Sequence, residues 1–207
     1  MKIALIGYGK MGHIIEQLSL QRGHQIVYIA DVDSEKGNWD EAEVAIEFST
    51  PATAQANVER ALRAGKKVVC GTTGWDVEGF KQNHPEYNGQ WIWKSNFSIG
   101  VNVLFELNKT LAQYLSPYPQ YQPAIEEIHH IHKLDKPSGT AKTLAEEIED
   151  NHHPHIPITS IREGEIPGTH TITWDSPEDT IIIQHIAKGR QGFALGAIIA
   201  AEELTNH

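Results

Sequence analysis

Apolar residues follow two rhythms along this chain. From Lys2 to Ile6 they run almost unbroken, as in a short strand buried on both faces. Ile14, Ile15, Leu18 and Leu20 then recur at helical spacing, and Gly23 ends that helix. "QIVYIAD" reads as a second strand ending in Asp31, and "VAIEFSTP" as a third that runs into a turn. "ATAQANVERALRAG" is an amphipathic helix stopped by Gly65, and "KKVVC" is a fourth strand. "FKQNHPEYN" suggests a short helix and loop, and Trp91–Lys94 a further strand. This β-α-β-β-α-β-(α)-β alternation predicts a parallel sheet with helices on both faces. The polar stretch between Asp31 and Val44 reads only as a short link.

Near residue 98 the rhythm changes. Val101–Leu115 is an amphipathic helix, "PAIEEIHHIHK" a strand, and "SGTAKTLAEEIEDN" a helix with Ser138 at its N-cap. "ITSIREG", "GTHTITWDS" and "DTIIIQHIAKG" alternate apolar with polar, as antiparallel strands do. "NHHPHIP", with the histidines of 152–155, reads as a surface loop. "FALGAIIAAEEL" is a final helix. The fold class is therefore α/β: a Rossmann-type parallel sheet domain over 1–97 plus 191–207, and a second mixed α+β domain over 98–190.

The first turn carries chemistry. Gly7, Gly9 and Gly12 form G-x-G-x-x-G directly after a strand and before a helix. In that context Gly7 makes the tight turn, Gly9 lets backbone approach a pyrophosphate, and Gly12 lets helix and strand pack closely. The pyrophosphate would sit on the free N–H groups of the helix N-terminus, beside Tyr8, Lys10 and Met11. Asp31 follows Gly12 by 19 residues (31 − 12), where a carboxylate can accept hydrogen bonds from the adenosine ribose. A nicotinamide dinucleotide is the expected cofactor. The turns Gly71–Gly74 and Ser95–Ser98 also follow strand C-terminal ends, where ligands bind in open α/β sheets.

"EEIHHIHKLDKPSGTA" is the second concentration of chemistry. If the strand stays regular, His129, Ile131 and Lys133 share one face, and His130 and His132 the other. The N–H groups of Ser138, Gly139 and Thr140 would then cradle a carboxylate at a helix N-terminus. One segment would offer an anion cradle, a cation and one or two imidazoles, which suits a small acidic substrate needing a proton. A solvated polar strand is the plainer alternative. Zinc is a further one, but the histidines splay to opposite faces and no cysteine or H-E-x-x-H supports them, so no metal is expected.

The formal net charge of −10 and the lack of a basic stretch argue against a nucleic-acid partner. No apolar run approaches the roughly 18 residues of a membrane span. Cys70 is the only cysteine, which excludes an internal disulfide, and it reads as a buried small hydrophobe rather than a reactive thiol. Met1 is followed at once by a strand-like run, so no signal peptide is expected and a cytoplasmic location fits.

The segment "EEIHHIHKLDKPSGTA" resembles the signature of the dihydrodipicolinate reductase family, the 4-hydroxy-tetrahydrodipicolinate reductases of lysine and diaminopimelate synthesis. The resemblance spans nearly the whole chain. It includes the glycine loop, "EFSTP" (with Glu47 where the family usually has Asp), "GTTG", Asn96–Asn102, "REGEIPGTHTI" and "HIAKGRQGFALGAIIAA". It implies hydride transfer from NADH or NADPH to a cyclic imine dicarboxylate. His129 matches the proposed proton donor/acceptor and Lys133 the proton donor. His130, Ser138, Gly139 and Thr140 match the substrate-binding segment. Gly7–Gly12, Asp31, Gly71, Thr72, Thr73, Lys94, Ser95, Asn96 and Phe97 match cofactor contacts. Arg190 is a further candidate carboxylate clamp, against a structural or interface pair. Asp31, with no arginine directly after it, favours NADH, although Lys36 could reach a 2′-phosphate. The resemblance also implies a homotetramer. A catalytically silent dinucleotide-binding sensor and a related NAD-dependent dehydrogenase are the competing functions; intact His129, Lys133 and Ser-Gly-Thr weigh against both.

Overall fold

The computed structural model describes residues 1–149 and 153–206. Ten strands and six α-helices are present among them. The strands are β1 (Lys2–Ile6), β2 (Gln25–Asp31), β3 (Ser34–Gly37), β4 (Val44–Glu47), β5 (Lys67–Cys70), β6 (Trp91–Trp93), β7 (Gln122–His129), β8 (Ile158–Arg162), β9 (Thr169–Asp175) and β10 (Thr180–Ile186). The helices are α1 (Lys10–Gln21), α2 (Pro51–Arg63), α3 (Val77–Asn83), α4 (Ile99–Leu115), α5 (Gly139–Ile148) and α6 (Gln191–Thr205). The chain divides into two compact units: Met1–Ser98 with Gln191–His207, and Ile99–Arg190. No helix among the described residues is long and apolar enough to cross a membrane.

The first unit is a six-stranded sheet in the order β3-β2-β1-β4-β5-β6. Every pairing is parallel except that of β3 with β2. Strand side chains alternate between faces, and here both faces are covered. Ile3, Leu5, Val44, Ile46 and Val69 pack against Ile15 of α1 and Ala194, Ala197, Ile198 and Ala201 of α6. Ala4, Ile6, Ala45, Val68 and Cys70 pack on the other side with Val58, Ala61 and Leu62 of α2 and Phe80 of α3. That double burial explains why these strands read as continuous apolar runs. Strand β3 replaces the predicted bare link. All four of its residues are exposed, so it carries no alternating signal and is held by edge pairing alone.

The second unit is a four-stranded sheet, β10-β9-β7-β8. Strand β9 is antiparallel to both neighbours, whereas β8 runs parallel to β7, contrary to the antiparallel reading of its pattern. Leu104 and Leu115 of α4 and Leu144 and Ile148 of α5 cover one face, over Ile125, Ile172 and Trp174. The His-rich segment is also not a plain surface loop. His153 is buried, with Nε2 3.1 Å from the Tyr121 carbonyl and its ring edge-on to Trp174, and Ile156 joins the core. His155 is exposed, and His152 lies outside the described residues.

Helix α6 closes the first unit by close approach. A Cβ at Gly196 would overlap the Phe97 carbonyl. Gly196→Ala is expected to destabilise the protein by about 1–3 kcal/mol, the usual range for overpacking. Urea denaturation of the two proteins measures it; an unchanged midpoint would contradict so tight a contact.

Candidate functional site: a dinucleotide cradle and an acid–base cluster

In the first unit β1 lies between β2 and β4, so the order of the sheet reverses at β1. Crevices at such reversals, beyond the strand C-termini, are where open α/β sheets bind ligands. Gly7 leaves β1 at φ 89°, and a Cβ there would overlap the Phe48 backbone. A Cβ at Gly12 would press on the Gly7 carbonyl, so this glycine tightens the loop on itself rather than packing helix on strand. Gly9 differs: nothing lies within 4 Å of where its Cβ would be. It is the N-cap of α1, makes no side-chain cap bond, and no acidic residue occupies the first turn. An exposed helix N-terminus with open space before it fits a pyrophosphate.

The other residues expected to contact the cofactor lie in sequence-distant turns. The Tyr8 hydroxyl bonds to Glu16, which, with burial, pushes it up to about 12. The Tyr8 ring lies 4.1 Å from that of His13, and the Lys36 ammonium sits 5.2 Å from its centroid. Lys10 is exposed and Met11 half-buried; Asp31 is exposed where β2 turns into β3. Gly71 leaves room for the Phe48 ring, and Phe97 packs 6.1 Å from that ring. Phe48 thus meets three of the turns. Thr72 is buried, and its carbonyl accepts hydrogen bonds from the indole N–H groups of both Trp75 and Trp93, each at 2.9 Å. Thr73, Lys94 and Ser95 are exposed, and the Asn96 side chain accepts from the Ser98 N–H at 2.8 Å. Sequence reasoning passed over the two tryptophans, because pattern marks them as apolar and not as donors.

Glu47 is fully buried at the end of β4. Its carboxylate accepts from the Ser49 N–H at 3.0 Å and from the Cys70 thiol at 3.1 Å. Burial first, and then Glu47, push the Cys70 thiol well up, so it is an inert core group.

In the second unit Pro123, Ile125, Glu127 and His129 point inward along β7 with a period of two. The strand then stops. Residues 130–133 form a turn closed by the Lys133 N–H on the His130 carbonyl at 3.1 Å. Strand alternation therefore does not place Lys133 beside His129. Lys133 is instead placed by Asp135, 2.7 Å from its ammonium. Burial pushes the Asp135 carboxyl up, but Lys133 and the Gly139 N–H outweigh it and hold it below its ordinary value.

Ser138 caps α5, its hydroxyl accepting from the Ala141 N–H at 3.2 Å. The residue is buried, however, and its own N–H donates to Glu127 at 3.2 Å. The Gly139 N–H meets the Asp135 carboxylate, so the expected three-residue cradle is already answered at Ser138 and Gly139 by the chain's own carboxylates; Gly139 is exposed, and Thr140 is half-buried. His130 is half-buried with a shielded Nδ1, and Arg190 is exposed at the end of the unit.

The structure adds three residues to this cluster. Glu127 has no exposure and lies 2.9 Å from Arg162 and 2.8 Å from His129 Nδ1. His170 of β9 sets its ring edge-on to His129, and its Nε2 lies 3.3 Å from the Ser138 hydroxyl. Burial raises the Glu127 carboxyl, but donors led by Ser138 hold it at about 2. Burial lowers His129, aided by Lys133 and Arg162 and opposed by Glu127. Burial, then His129, lowers His170 to about 4. Glu127, His129 and His170 could each offer a metal one ligand atom, all within 4.8 Å of one another. The guanidinium of Arg162 already answers the carboxylate there, and its charge opposes a second cation.

Two pH windows follow. A buried histidine lowered to about 4 stabilises the fold fully above its unfolded value near 6.5 and loses that contribution as pH falls to about 4. Glu127 contributes above its unfolded value near 4.5 and loses it toward about 2. Thermal melts from pH 8 to pH 3 are expected to fall through the first window, and less steeply in His170→Gln. Equal slopes in both proteins would exclude His170 as a cause.

Comparison with known proteins shows the family. The family model described as dihydrodipicolinate reductase, N-terminus, matches residues 1–97, and the C-terminus model matches residues 100–207. The 4-hydroxy-tetrahydrodipicolinate reductase of Christiangramia forsetii is 46% identical over 220 residues, covering 99% of this chain and 92% of the relative. That of Thermosipho africanus is 34% identical over 208 residues, covering 100% and 92%. A dipicolinate-bound dihydrodipicolinate reductase from Paenisporosarcina sp. TG-14 has the same fold, with TM-score 0.78 at 21% identity, covering 100% of this chain and 95% of that one. With both family models matched along the chain and a relative 46% identical over 99% of it, the chain belongs to the dihydrodipicolinate reductase family.

Proposed function

We propose that this chain reduces 4-hydroxy-tetrahydrodipicolinate to tetrahydrodipicolinate in the diaminopimelate route of lysine biosynthesis. The observation that carries this reading is family membership along the whole chain together with an intact His129, Lys133, Gly139 and Thr140 segment. The first unit is the dinucleotide-binding domain, and the second the substrate-binding and oligomerisation domain. When bound, NADH or NADPH supplies the hydride. The chain's own residues do the rest. One substrate carboxylate takes the place of Asp135 at the start of α5, at Gly139 and Thr140, with the helix dipole favouring the charge. Lys133 exchanges the Asp135 carboxylate for the substrate and delivers a proton. His129 takes or returns a proton beside it, and His130 and Arg190 are further substrate contacts, Arg190 through its forked donors.

NADH is the preferred cofactor, because exposed Asp31 would repel a 2′-phosphate. Lys36 on β3 gives NADPH a second route, since its ammonium already lies over Tyr8. The pathway reading and the soluble dinucleotide pool on which the reaction draws favour the cytoplasm.

The second sheet supports a homotetramer. One face is covered by α4 and α5, whereas on the other Ile182 and Ile186 of β10 are 62% and 60% exposed. Apolar side chains in a row on an open sheet suit a like sheet. Equilibrium sedimentation is expected to give four chains; a monomer across the working concentration range would remove this part of the proposal.

The direct test is NADH oxidation with the substrate generated in place from pyruvate and aspartate semialdehyde by the preceding synthase. Oxidation should need both proteins, with a lower KM for NADH than for NADPH. Lys133→Ala should lower kcat by about 10²–10⁴-fold, the usual worth of a general acid, with NADH affinity unchanged. Unchanged turnover would remove Lys133 from the mechanism. NADH binding without any oxidation by the native protein would favour the sensor.

A further inference from the structure

We infer that Glu127 is the positioning residue for His129: it holds the ring by Nδ1 and leaves Nε2, on the side kept open by Gly168, as the atom that exchanges the proton. What the ring acts on rests on the reductase reading above; the arrangement itself does not.

Glu127 has one oxygen committed and one to spare. Its Oε1 accepts from Arg162 Nη2 at 2.9 Å and from the Ser138 N–H at 3.2 Å. Its Oε2 faces His129 Nδ1 at 2.8 Å, obliquely to an ideal hydrogen-bond line. Contacts of this kind are often poorly aligned without substrate and tighten when it binds. Arg162 is fixed in turn. Its Nε donates to the Lys133 carbonyl at 3.2 Å and its Nη2 to the Asp135 carbonyl at 2.5 Å. One guanidinium therefore holds both the carboxylate behind His129 and the turn that carries Lys133.

The opposite edge of the ring is left clear. Gly168 has φ 150°, and a Cβ built there would stand 3.0 Å from His129 Nε2 and 3.2 Å from Cδ2. A side chain at 168 would fill the space in which Nε2 must meet a reacting atom. An ionised carboxylate at Nδ1 selects the tautomer that carries its hydrogen there, so Nε2 keeps its lone pair. His129 can then accept a proton at Nε2 and give it back. The imidazolium formed in between is stabilised by Glu127 and opposed by Lys133 and Arg162. The other groups around the ring are Asp135 from the following turn and His170 from β9, which itself neighbours His185 of β10.

The test uses the whole protein and ¹⁵N-labelled histidine. The His129 resonances of the native protein should show the Nδ1–H tautomer. Glu127→Gln should shift that equilibrium and lower kcat about 10–100-fold, part of the range open to acid–base groups, with NADH affinity unchanged. Loss of the carboxylate should also move the His129 limb of the kcat/KM profile to lower pH, because Glu127 favours the protonated ring. An Nε2–H tautomer in the native protein overturns the inference. So does a Glu127→Gln enzyme with native kcat and an unmoved pH limb. Should that variant not fold, the native tautomer decides alone. If the native protein shows Nδ1–H but no reductase turnover, the positioning stands and the reductase reading falls.

Discussion

A carboxylate with no access to water constrains the second unit. Glu127 must be answered by donors, because an unpaired charge at that depth would cost several kcal/mol. Hydrogen bonds reach it from Arg162 on β8 and the Ser138 N–H at the start of α5, and His129 Nδ1 approaches to 2.8 Å two residues along β7. Satisfying one charge therefore fixes the parallel pairing of β7 with β8, the point at which α5 begins, and the orientation of an imidazole. The energetic need of the fold and the geometric need of the site are met by the same contacts.

The first unit solves its problem with backbone rather than charge. Its glycine loop works because side chains are missing at Gly7 and Gly12, where they would collide, and at Gly9, where one would fill the approach to a helix end. Phe48 is the common neighbour of Gly7, Gly71 and Phe97, so separate turns are gathered by one aromatic residue. Trp75 and Trp93 add direction by pinning the Thr72 carbonyl.

Much of this was legible in the sequence. Buried parallel strands are apolar throughout, and helix stops and the Ser138 cap follow local rules, so those elements emerge from periodicity. The glycine loop is readable because its meaning is local to one strand, one turn and one helix. Other features were not local. Strand β3 has four exposed residues and only a pairing partner to define it. The period-two rule failed after His129 because the chain turns there, and only Asp135, two positions beyond Lys133, shows where the lysine is held. Glu127 did leave a signal, a carboxylate at an inward position of an alternating strand. Arg162, Gly168 and His170 lie in the quoted "REGEIPGTHTI", but nothing local marks their roles, which depend on strand pairings made more than 30 residues away.

Helix α6 gives the molecule a timing as well as a shape. It supplies Ala194, Ala197, Ile198, Ala201 and Leu204 to the core of the first unit, and Glu202 reaches back to Arg22 and His24. Those residues leave the ribosome only after all of Ile99–Arg190 has been made. The second unit is continuous and can complete its core during synthesis, whereas the glycine-loop unit must wait, with one sheet face covered only by α1, for α6 to arrive. An apolar sheet face that stays half covered that long is a natural client for a chaperone, so the half of the protein made first is the half finished last.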